Sequence, residues 1–238
     1  MSQLTDRVIV VTGGAGGMGW ATTRTLVERG AWVIATDLRE SQEPIEGALF
    51  VRHDVTSEDD WDRVIATAID RFGKLDGLVN NAGIGELARL LDTSRELFEN
   101  MLSVNQMGTF FGMRKAAEVM KDKGGAIVNI ASCVATRGVG GHFPYTVSKW
   151  AVRGMTKCAA LDLAPYGIRV NSINPGTIET PMMVAGFSEE QAAQIKNSIP
   201  MGRFGQPHEI AAVSAFLLSD EASYLTGTEI EADGGIFA

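Results

Sequence analysis

Short apolar runs rich in valine and isoleucine alternate with longer amphipathic segments along the chain. Seven runs have the length and β-branched content of buried strands: residues 7–12, 31–37, 49–51, 77–80, 126–131, 168–173 and 229–232. Five segments have helical spacing: residues 17–30, 58–72, 93–121, 144–166 and 207–219. This alternation predicts an α/β fold, with a doubly wound, seven-stranded parallel sheet flanked by helices.

Length and composition predict one globular domain over residues 1–238. The 238 residues can bury one sizeable core, and no linker or repeat marks a second domain. The polar stretch at 188–198 predicts a small helical lid within residues 181–200. A net charge of −8 disfavours nucleic acid and anionic lipid. Because the N-terminus lacks a secretory signal pattern and no apolar stretch reaches membrane-spanning length, we expect a cytoplasmic protein without a membrane partner.

A glycine-rich turn, TGGAGGMG, joins the first predicted strand to the first predicted helix. Glycine lets backbone N–H groups approach a pyrophosphate, and the helix N-terminus favours negative charge. The spacing is GxxxGxG rather than GxGxxG, and a purely structural turn is the alternative interpretation. The strand-turn-helix context favours a dinucleotide site. Its predicted contacts are Gly13, Gly16, Gly17, Met18 and Gly19.

The end of the second predicted strand indicates which dinucleotide binds. Asp37 lies 18 positions after Gly19, where a carboxylate can bind the adenosine ribose 2′-OH and repel the extra phosphate of NADP. Gly16 and Leu38, both expected beside the cofactor, offer no cation to that phosphate. Arg39 favours the opposite choice if it turns toward the ribose; its alternative role is a solvated surface charge. The sequence predicts NAD.

Several motifs, in this order, resemble the short-chain dehydrogenase/reductase superfamily in its compact form. They are Thr12–Gly19, Asn80-Asn81-Ala82-Gly83, Asn105, Ser132, Tyr145-x-x-x-Lys149 and Pro175-Gly176, and they span nearly the whole chain. The resemblance implies a single-domain Rossmann fold that transfers a hydride between nicotinamide and a carbinol carbon. It also implies a homotetramer, with helices 93–121 and 144–166 and the apolar tail 236–238 at the interfaces.

Tyr145 and Lys149 lie one helical turn apart, so they share a face of the predicted helix. A free phenol has a pKa of about 10 and needs a nearby cation to act as a base at neutral pH. The resemblance implies that Tyr145 is the general acid/base. It implies that Lys149 supplies the cation together with oxidised nicotinamide, and that it binds the nicotinamide ribose.

Two polar residues complete the implied catalytic group. Ser132, 13 positions before Tyr145, matches the serine that orients the substrate oxygen; alone, it would be a strand-end serine that satisfies local backbone groups. Asn105 matches the asparagine that completes a proton relay through water and Lys149; alone, it would be a helix-surface residue.

The resemblance assigns further cofactor contacts. Asp54 and Val55 contact adenine, although Asp54 could serve only the turn before the next helix. Asn80 is expected to brace the sheet rather than to contact the cofactor. The remaining predicted contacts lie beneath the adenine ribose or around the nicotinamide: Asn81, Ala82, Gly83, Pro175, Gly176, Ile178 and Thr180.

The predicted substrate is a small hydrophobic secondary alcohol, cyclic or aryl, or its ketone. Apolar residues follow Thr180 and occur in loops at the same end of the sheet: Met182, Met183, Phe187, Leu87, Val134, Val139 and Phe143. Packing is the alternative role of these residues, because a lid helix needs an apolar face whether or not it contacts a substrate. The sequence as a whole resembles the hydroxysteroid and alicyclic-alcohol branch of this superfamily. An NADPH-dependent 3-oxoacyl-acyl-carrier-protein-type ketoreductase and a non-catalytic dinucleotide-binding regulator are the alternatives.

Histidine and cysteine provide no predicted metal site. The three histidines and two cysteines have no ligand spacing, so we expect no metal. Cys133 and Cys158 are expected to be small buried side chains, with a reactive Cys133 thiol as the alternative.

Overall fold

The fold is known from a computed structural model, which describes residues 4–41, 43–180, 183 and 188–237. Seven strands form one sheet in the order β3-β2-β1-β4-β5-β6-β7, and every neighbouring pair is parallel. The strands are β1 Val8–Thr12, β2 Trp32–Asp37, β3 Ala48–Arg52, β4 Gly77–Asn80, β5 Gly125–Ile130, β6 Ile168–Pro175 and β7 Glu229–Ala232. The predicted fold class is confirmed.

Seven α-helices accompany the sheet in the described part of the chain. They are α1 Gly17–Glu28, α2 Glu58–Phe72, α3 Arg95–Leu102, α4 Gly108–Met120, α5 Phe143–Leu163, α6 Glu189–Ser198 and α7 Pro207–Leu218. Polar caps define their ends: the Ser57 side chain accepts the Asp60 N–H at the start of α2, and Gly73 ends that helix in the left-handed region. The predicted helix at 188–198 is confirmed as α6, capped by Ser188.

Alternating strand residues divide the core into two layers. In β1, Ile9 and Val11 belong to the core under α1 and α7, whereas Val8 and Val10 belong to the core under α2, α4 and α5. A central parallel strand buries both faces, which explains its uninterrupted apolar sequence. None of the described helices is long and apolar enough to cross a membrane.

The helix predicted at 93–121 forms over residues 95–120, and it contains one irregularity that the sequence did not predict. The chain forms α3, a π-helical turn at Ser103–Met107 and then α4. Asn105 lies in this turn and its side chain binds both backbone groups of Ile84. This tertiary contact favours the π-helical turn, which is wider than an α-helical one. The spacing of apolar residues in the sequence does not reveal such a contact.

The order of the strands positions the candidate site. β1 and β4 are neighbours although β2 and β3 lie between them in sequence, so the chain extends the sheet outward in opposite directions from this pair. Ligands of open α/β sheets bind at the carboxyl ends of strands at such a switch point. Here those ends are Thr12 and Asn80.

Candidate active site

The glycine loop wraps closely around the end of β4. Gly13 and Gly17 have φ values of +65° and +53°, and a Cβ on Gly19 would lie 1.9 Å from the Gly13 carbonyl oxygen. The Asn81 side-chain amide donates to the carbonyls of Thr12 at 2.9 Å and Gly13 at 3.2 Å. Only glycine fits at position 19. Asn81 not only lies beside the loop but also holds it in place through these two hydrogen bonds.

The exposed side of the same loop offers a cradle for a phosphate group. No described atom lies within 4 Å of the place where a Cβ on Gly16 would stand, and a Cβ on Gly17 would lie 3.4 Å from Thr180 Cγ2. The Met18 side chain packs against the core, so only its backbone, at the start of α1, is left to contact a cofactor. The space between the helix N-terminus and Thr180 therefore fits a dinucleotide pyrophosphate.

The Asp37 carboxylate is held at the end of β2 by two backbone donors. Its oxygens accept from the Ala15 N–H at 3.2 Å and from the Leu38 N–H at 2.8 Å. Asp37 is thus tied directly to the glycine loop, and Leu38 beside it is 57% exposed. A carboxylate fixed in this place suits two ribose hydroxyls and opposes a phosphate.

At the predicted adenine end, the Asp54 side chain serves a turn. Its carboxylate accepts from the Thr56 N–H at 2.9 Å and the Thr56 hydroxyl at 2.7 Å. Val55 packs against Gly108 and accepts a hydrogen bond from Trp61 through its carbonyl. The alternative that sequence left open for Asp54 is therefore correct for its carboxylate.

His53 is a buried residue that sequence reasoning did not assign to the site. Its Nδ1 shares a 2.9 Å hydrogen bond with the Thr36 hydroxyl, and its backbone N–H donates to the Asp37 carbonyl at 2.8 Å. Burial lowers the pKa of His53 to about 4, so the ring is neutral and braces the strand that carries Asp37. The only signal in the sequence is its place at the end of β3.

Three elements bring the four predicted catalytic side chains together. β5 ends just before Ser132, α5 carries Tyr145 and Lys149, and the π-helical turn carries Asn105. Lys149 Nζ donates to the Ile130 carbonyl at 2.8 Å and lies 5.9 Å from the centre of the Tyr145 ring. The Ser132 hydroxyl lies beside the Tyr145 phenol and lowers the pKa of that group.

Burial shifts the pKa values of the two ionisable members in opposite directions. Burial raises the pKa of Tyr145, and the neighbouring Ser132 hydroxyl partly opposes this rise. Burial lowers the pKa of Lys149 to about 8. Because the pKa of Tyr145 is raised, its phenol is protonated at neutral pH in the cofactor-free protein. The stabilisation of its phenolate by Lys149 stays a prediction.

Asn105 is fully buried rather than on a helix surface. Its side-chain oxygen accepts from the Ile84 N–H at 2.8 Å, and its amide donates to the Ile84 carbonyl at 2.9 Å and to the Ser148 hydroxyl at 3.0 Å. Ser148 in turn donates to the Tyr145 carbonyl at 2.7 Å. Asn105 thus ties the loop after β4 to the first turn of α5, and Ser148 is a further member of this network.

Close backbone packing also surrounds Lys149 and Gly83. A Cβ on Gly83 would lie 3.0 Å from Asn105 Oδ1 and 3.4 Å from Lys149 Nζ. Ala82, just before it, donates its N–H to the Thr12 hydroxyl at 3.0 Å. The segment that follows β4 therefore contacts both the glycine loop and the catalytic group. Asn80 bonds to the Asn129 side chain at 2.9 Å, which confirms its role as a brace of the sheet.

The predicted nicotinamide segment follows Pro175 at the end of β6. A Cβ on Gly176 would lie 2.7 Å from Asp233 Cα, so glycine is required there. Ile178 pairs with Gly205 and is buried, leaving its backbone rather than its side chain for recognition. Thr180 faces the glycine loop across Gly17.

The predicted substrate wall is only partly described. Val139 and Phe143 line a cavity of about 630 Å³ together with Leu90, whereas Leu87 is 55% exposed. Phe143 is the first residue of α5 and not a loop residue, with Pro144 next in the first turn. The Phe143 N–H donates to the Ala88 carbonyl. Met182 and Phe187 lie outside the described residues, and Met183 donates its N–H to the Thr180 hydroxyl at 3.4 Å.

The cysteines differ from each other. Cys133 is buried as predicted, and burial raises the pKa of its thiol to about 12, which removes the basis for a reactive thiolate. Cys158 is exposed on α5, so its predicted burial is wrong: it lies on the solvent side of a helix whose pattern is apolar on several faces.

Comparison with known proteins identifies relatives over nearly the whole chain. The family model described as Enoyl-(Acyl carrier protein) reductase matches residues 13–236. The chain is 37% identical to trans-4-hydroxycyclohexanecarboxylate dehydrogenase of Sinomonas cyclohexanicum, covering 99% of this chain and 96% of that protein. It is 39% identical to 3-alpha-(or 20-beta)-hydroxysteroid dehydrogenase of Mycobacterium tuberculosis, covering 99% and 91%. The crystal structure of levodione reductase superposes with a TM-score of 0.92 at 35% identity, covering 98% of both chains.

Proposed function

This chain belongs to the short-chain dehydrogenase/reductase superfamily as an alcohol dehydrogenase or ketoreductase with a nicotinamide dinucleotide cofactor, and we propose that it interconverts a hydrophobic cyclic or aryl secondary alcohol and its ketone with NAD. The observation that carries the proposal is the convergence of Ser132, Tyr145 and Lys149 beside the glycine loop.

The choice of NAD rests on Asp37. Its carboxylate is anchored to the glycine loop through Ala15 and stands beside Leu38, so an approaching 2′-phosphate meets negative charge. Arg39, exposed two residues later, is the cation that would favour NADP if it turned toward the ribose. Gly16 adds no basic group. Gly13, Gly17 and Gly19 shape the pyrophosphate cradle, and the further contacts come from Asn81, Ala82, Gly83, Pro175, Gly176, Ile178 and Thr180.

The chemistry follows from charge and protonation. When bound, an oxidised nicotinamide would supply a hydride acceptor for the carbinol carbon and a positive charge. The Lys149 ammonium would stabilise the Tyr145 phenolate, which burial alone disfavours. Tyr145 takes the alcohol proton while Ser132 orients the substrate oxygen, and Lys149 also holds ribose hydroxyls. Asn105 positions the loop and helix between which the proton relay runs.

The substrate class rests on the named relatives and on apolar residues of the loop before α5. Val139 and Phe143 line a cavity there, although Tyr145 is not among its lining residues. The two named relatives act, by their names, on a ring alcohol and on hydroxysteroids. The description of the family model instead names an acyl-carrier-protein reductase, and Asp37 is the feature that disfavours an NADPH-dependent enzyme of that kind.

A homotetramer is part of the proposal. Large apolar side chains are exposed along the helical surface formed by the π-helical turn, α4 and α5: Met107, Phe110, Trp150 and Leu161. These helices are the interfaces that the family resemblance implies. Light scattering at working concentration tests the assembly, and a monomeric mass would contradict it.

The initial rate of NADH formation with a panel of secondary alcohols tests the function. Each alcohol is supplied with NAD and with NADP, and the panel includes cyclohexanols, hydroxysteroids, aryl alcohols and polyols. Turnover of bulky apolar alcohols with NAD supports the proposal. Turnover with NADP alone contradicts the role of Asp37, and turnover of polyols alone contradicts the substrate class. No turnover with any alcohol favours a dinucleotide-binding regulator.

A further inference from the structure

Arg153 lies one helical turn beyond Lys149, on the same face of α5 as Tyr145 and Lys149. Its side chain is only 18% exposed. Nε and Nη2 donate to the two carboxylate oxygens of Glu229 in β7, both at 2.9 Å, and Nη1 donates to the backbone carbonyl of Ala135. One guanidinium therefore joins the catalytic helix to β7 and to the turn after β5.

Ala135 belongs to the turn that begins at Ser132. The Ala135 N–H donates to the Ser132 carbonyl at 3.0 Å, and the Ser132 hydroxyl accepts from the Val134 N–H at 3.4 Å. Ala135 is fully buried. A displacement of its carbonyl thus displaces the short turn that carries the Ser132 hydroxyl toward Tyr145.

We propose that Arg153 is a positioning residue for the reaction: through Ala135 it sets the place of Ser132 relative to Tyr145, and Glu229 fixes the plane of the guanidinium. This inference rests on the proposed function. The three donors act at once because the guanidinium is a rigid planar fork; a lysine offers one point charge and cannot bind both partners in this geometry.

Lys157 provides a matched control on the same helix. Its ammonium lies 3.4 Å from the same Glu229 carboxylate, but its side chain is 56% exposed and makes no recorded bond to the Ser132 turn among the described residues. Lys157→Met removes a cation from Glu229 and leaves the anchor on Ala135. Arg153→Met removes both.

Hydrogen exchange tests the anchor without reference to activity. In Arg153→Met, the amides of Val134 and Ala135 should exchange at least about 10-fold faster than in the unsubstituted protein, while those of the glycine loop keep their rates. Lys157→Met should leave all of these rates unchanged. Unchanged protection of the Ser132 turn in Arg153→Met would overturn the proposal, whether or not the protein turns over any alcohol.

Kinetics test whether the anchor serves the reaction. Arg153→Met should lower kcat about 10- to 100-fold, the cost expected of a misplaced orienting group, while the Kd for NADH stays within about twofold. Arg153→Lys should recover only part of kcat. In a Ser132→Ala background the same Arg153 substitution should cost less than about twofold, because its route of action is already gone. Equal costs in both backgrounds overturn the inference.

Glu229→Gln covers the case in which Arg153→Met fails to fold. It weakens the two bonds that orient the guanidinium and leaves Arg153 in place. We expect the same loss of kcat with unchanged NADH binding, again suppressed by Ser132→Ala. A loss of thermal stability with normal kcat per folded molecule would assign Arg153 and Glu229 a purely structural role and refute the inference.

Discussion

The buried ammonium of Lys149 donates a 2.8 Å hydrogen bond to the backbone carbonyl of Ile130, the last residue of β5. This bond attaches the catalytic helix to the strand that leads into Ser132. It is the one bond recorded for the Lys149 ammonium among the described residues, and burial lowers the pKa of Lys149 to about 8. The Lys149 ammonium, the cation of the proposed mechanism, is thus held at an energetic cost in the cofactor-free protein.

This cost predicts a pH-dependent stability. The unfolded chain keeps the Lys149 proton to about pH 10.5, whereas the folded protein releases it above about pH 8, so between these values the unfolded state binds more protons and the free energy of unfolding rises with pH. Relative to Lys149→Met, the unsubstituted protein should gain about 3 kcal/mol from pH 7.5 to pH 10.5. Urea unfolding of both proteins measures this difference, with Lys157→Met as an exposed control.

A flat difference between the unsubstituted protein and Lys149→Met across that range would mean that Lys149 keeps its ordinary pKa. A difference that falls as pH rises would require a raised pKa, as in a strong ion pair.

Removal of the phenolic hydroxyl should stop the reaction and spare the cofactor site. We expect Tyr145→Phe to lower kcat about 100- to 10,000-fold, the range attributed to a lost general acid/base, with NADH binding within about threefold of normal. Stopped-flow turnover and fluorescence titration with NADH measure the two effects. Tyr166→Phe, at an exposed tyrosine after α5, is the matched control and should be fully active.

A Tyr145→Phe protein with normal turnover would refute the assignment of the acid/base. Equal losses of turnover and of NADH binding would instead place Tyr145 in cofactor recognition.

Exchange of charge beside the ribose should change the preferred cofactor. Asp37→Ala should lower kcat/KM with NAD about 10- to 100-fold, the value of a charge-assisted hydrogen bond, and relax the discrimination against NADP. Adding Gly16→Arg places a cation where no described atom lies within 4 Å of the substituted Cβ, and the extended φ of −161° admits any residue. The double variant should prefer NADP.

Parallel assays with both cofactors measure this reversal. If Asp37→Ala keeps an unchanged preference for NAD, a residue other than Asp37 selects the cofactor.

The glycine loop allows a pair of substitutions that differ only in packing. A Cβ on Gly19 meets the Gly13 carbonyl oxygen at 1.9 Å, so Gly19→Ala must displace the loop, whereas Gly16→Ala meets no described atom within 4 Å. We expect Gly19→Ala to weaken NADH binding at least about 10-fold and Gly16→Ala to change it less than about threefold. Isothermal titration decides the point, and equal affinities would contradict the close fit of this loop.

Much of the fold follows from local sequence because each strand and helix has a strong periodic signal. The β-branched runs predicted all seven strands, and the errors are one or two residues at their ends, where β6 continues to Pro175. The π-helical turn inside the helix predicted at 93–121 was missed because it is accompanied by a bond between Asn105 and Ile84, 21 residues earlier. Apolar spacing contains no record of such a contact.

The sequence by itself determined the kinds of residue at the site and their order: the glycines before α1, Asp37 after the second strand, and Tyr145 with Lys149 on one helical face. These follow from local backbone requirements and from helical spacing. Only the tertiary structure decided how Asn81 braces the loop, how burial shifts the pKa values of Tyr145 and Lys149, and how Arg153 reaches Ala135. Each of these depends on distances between segments that are far apart in the chain. The packing of the two core layers sets those distances, and no local sequence pattern encodes them.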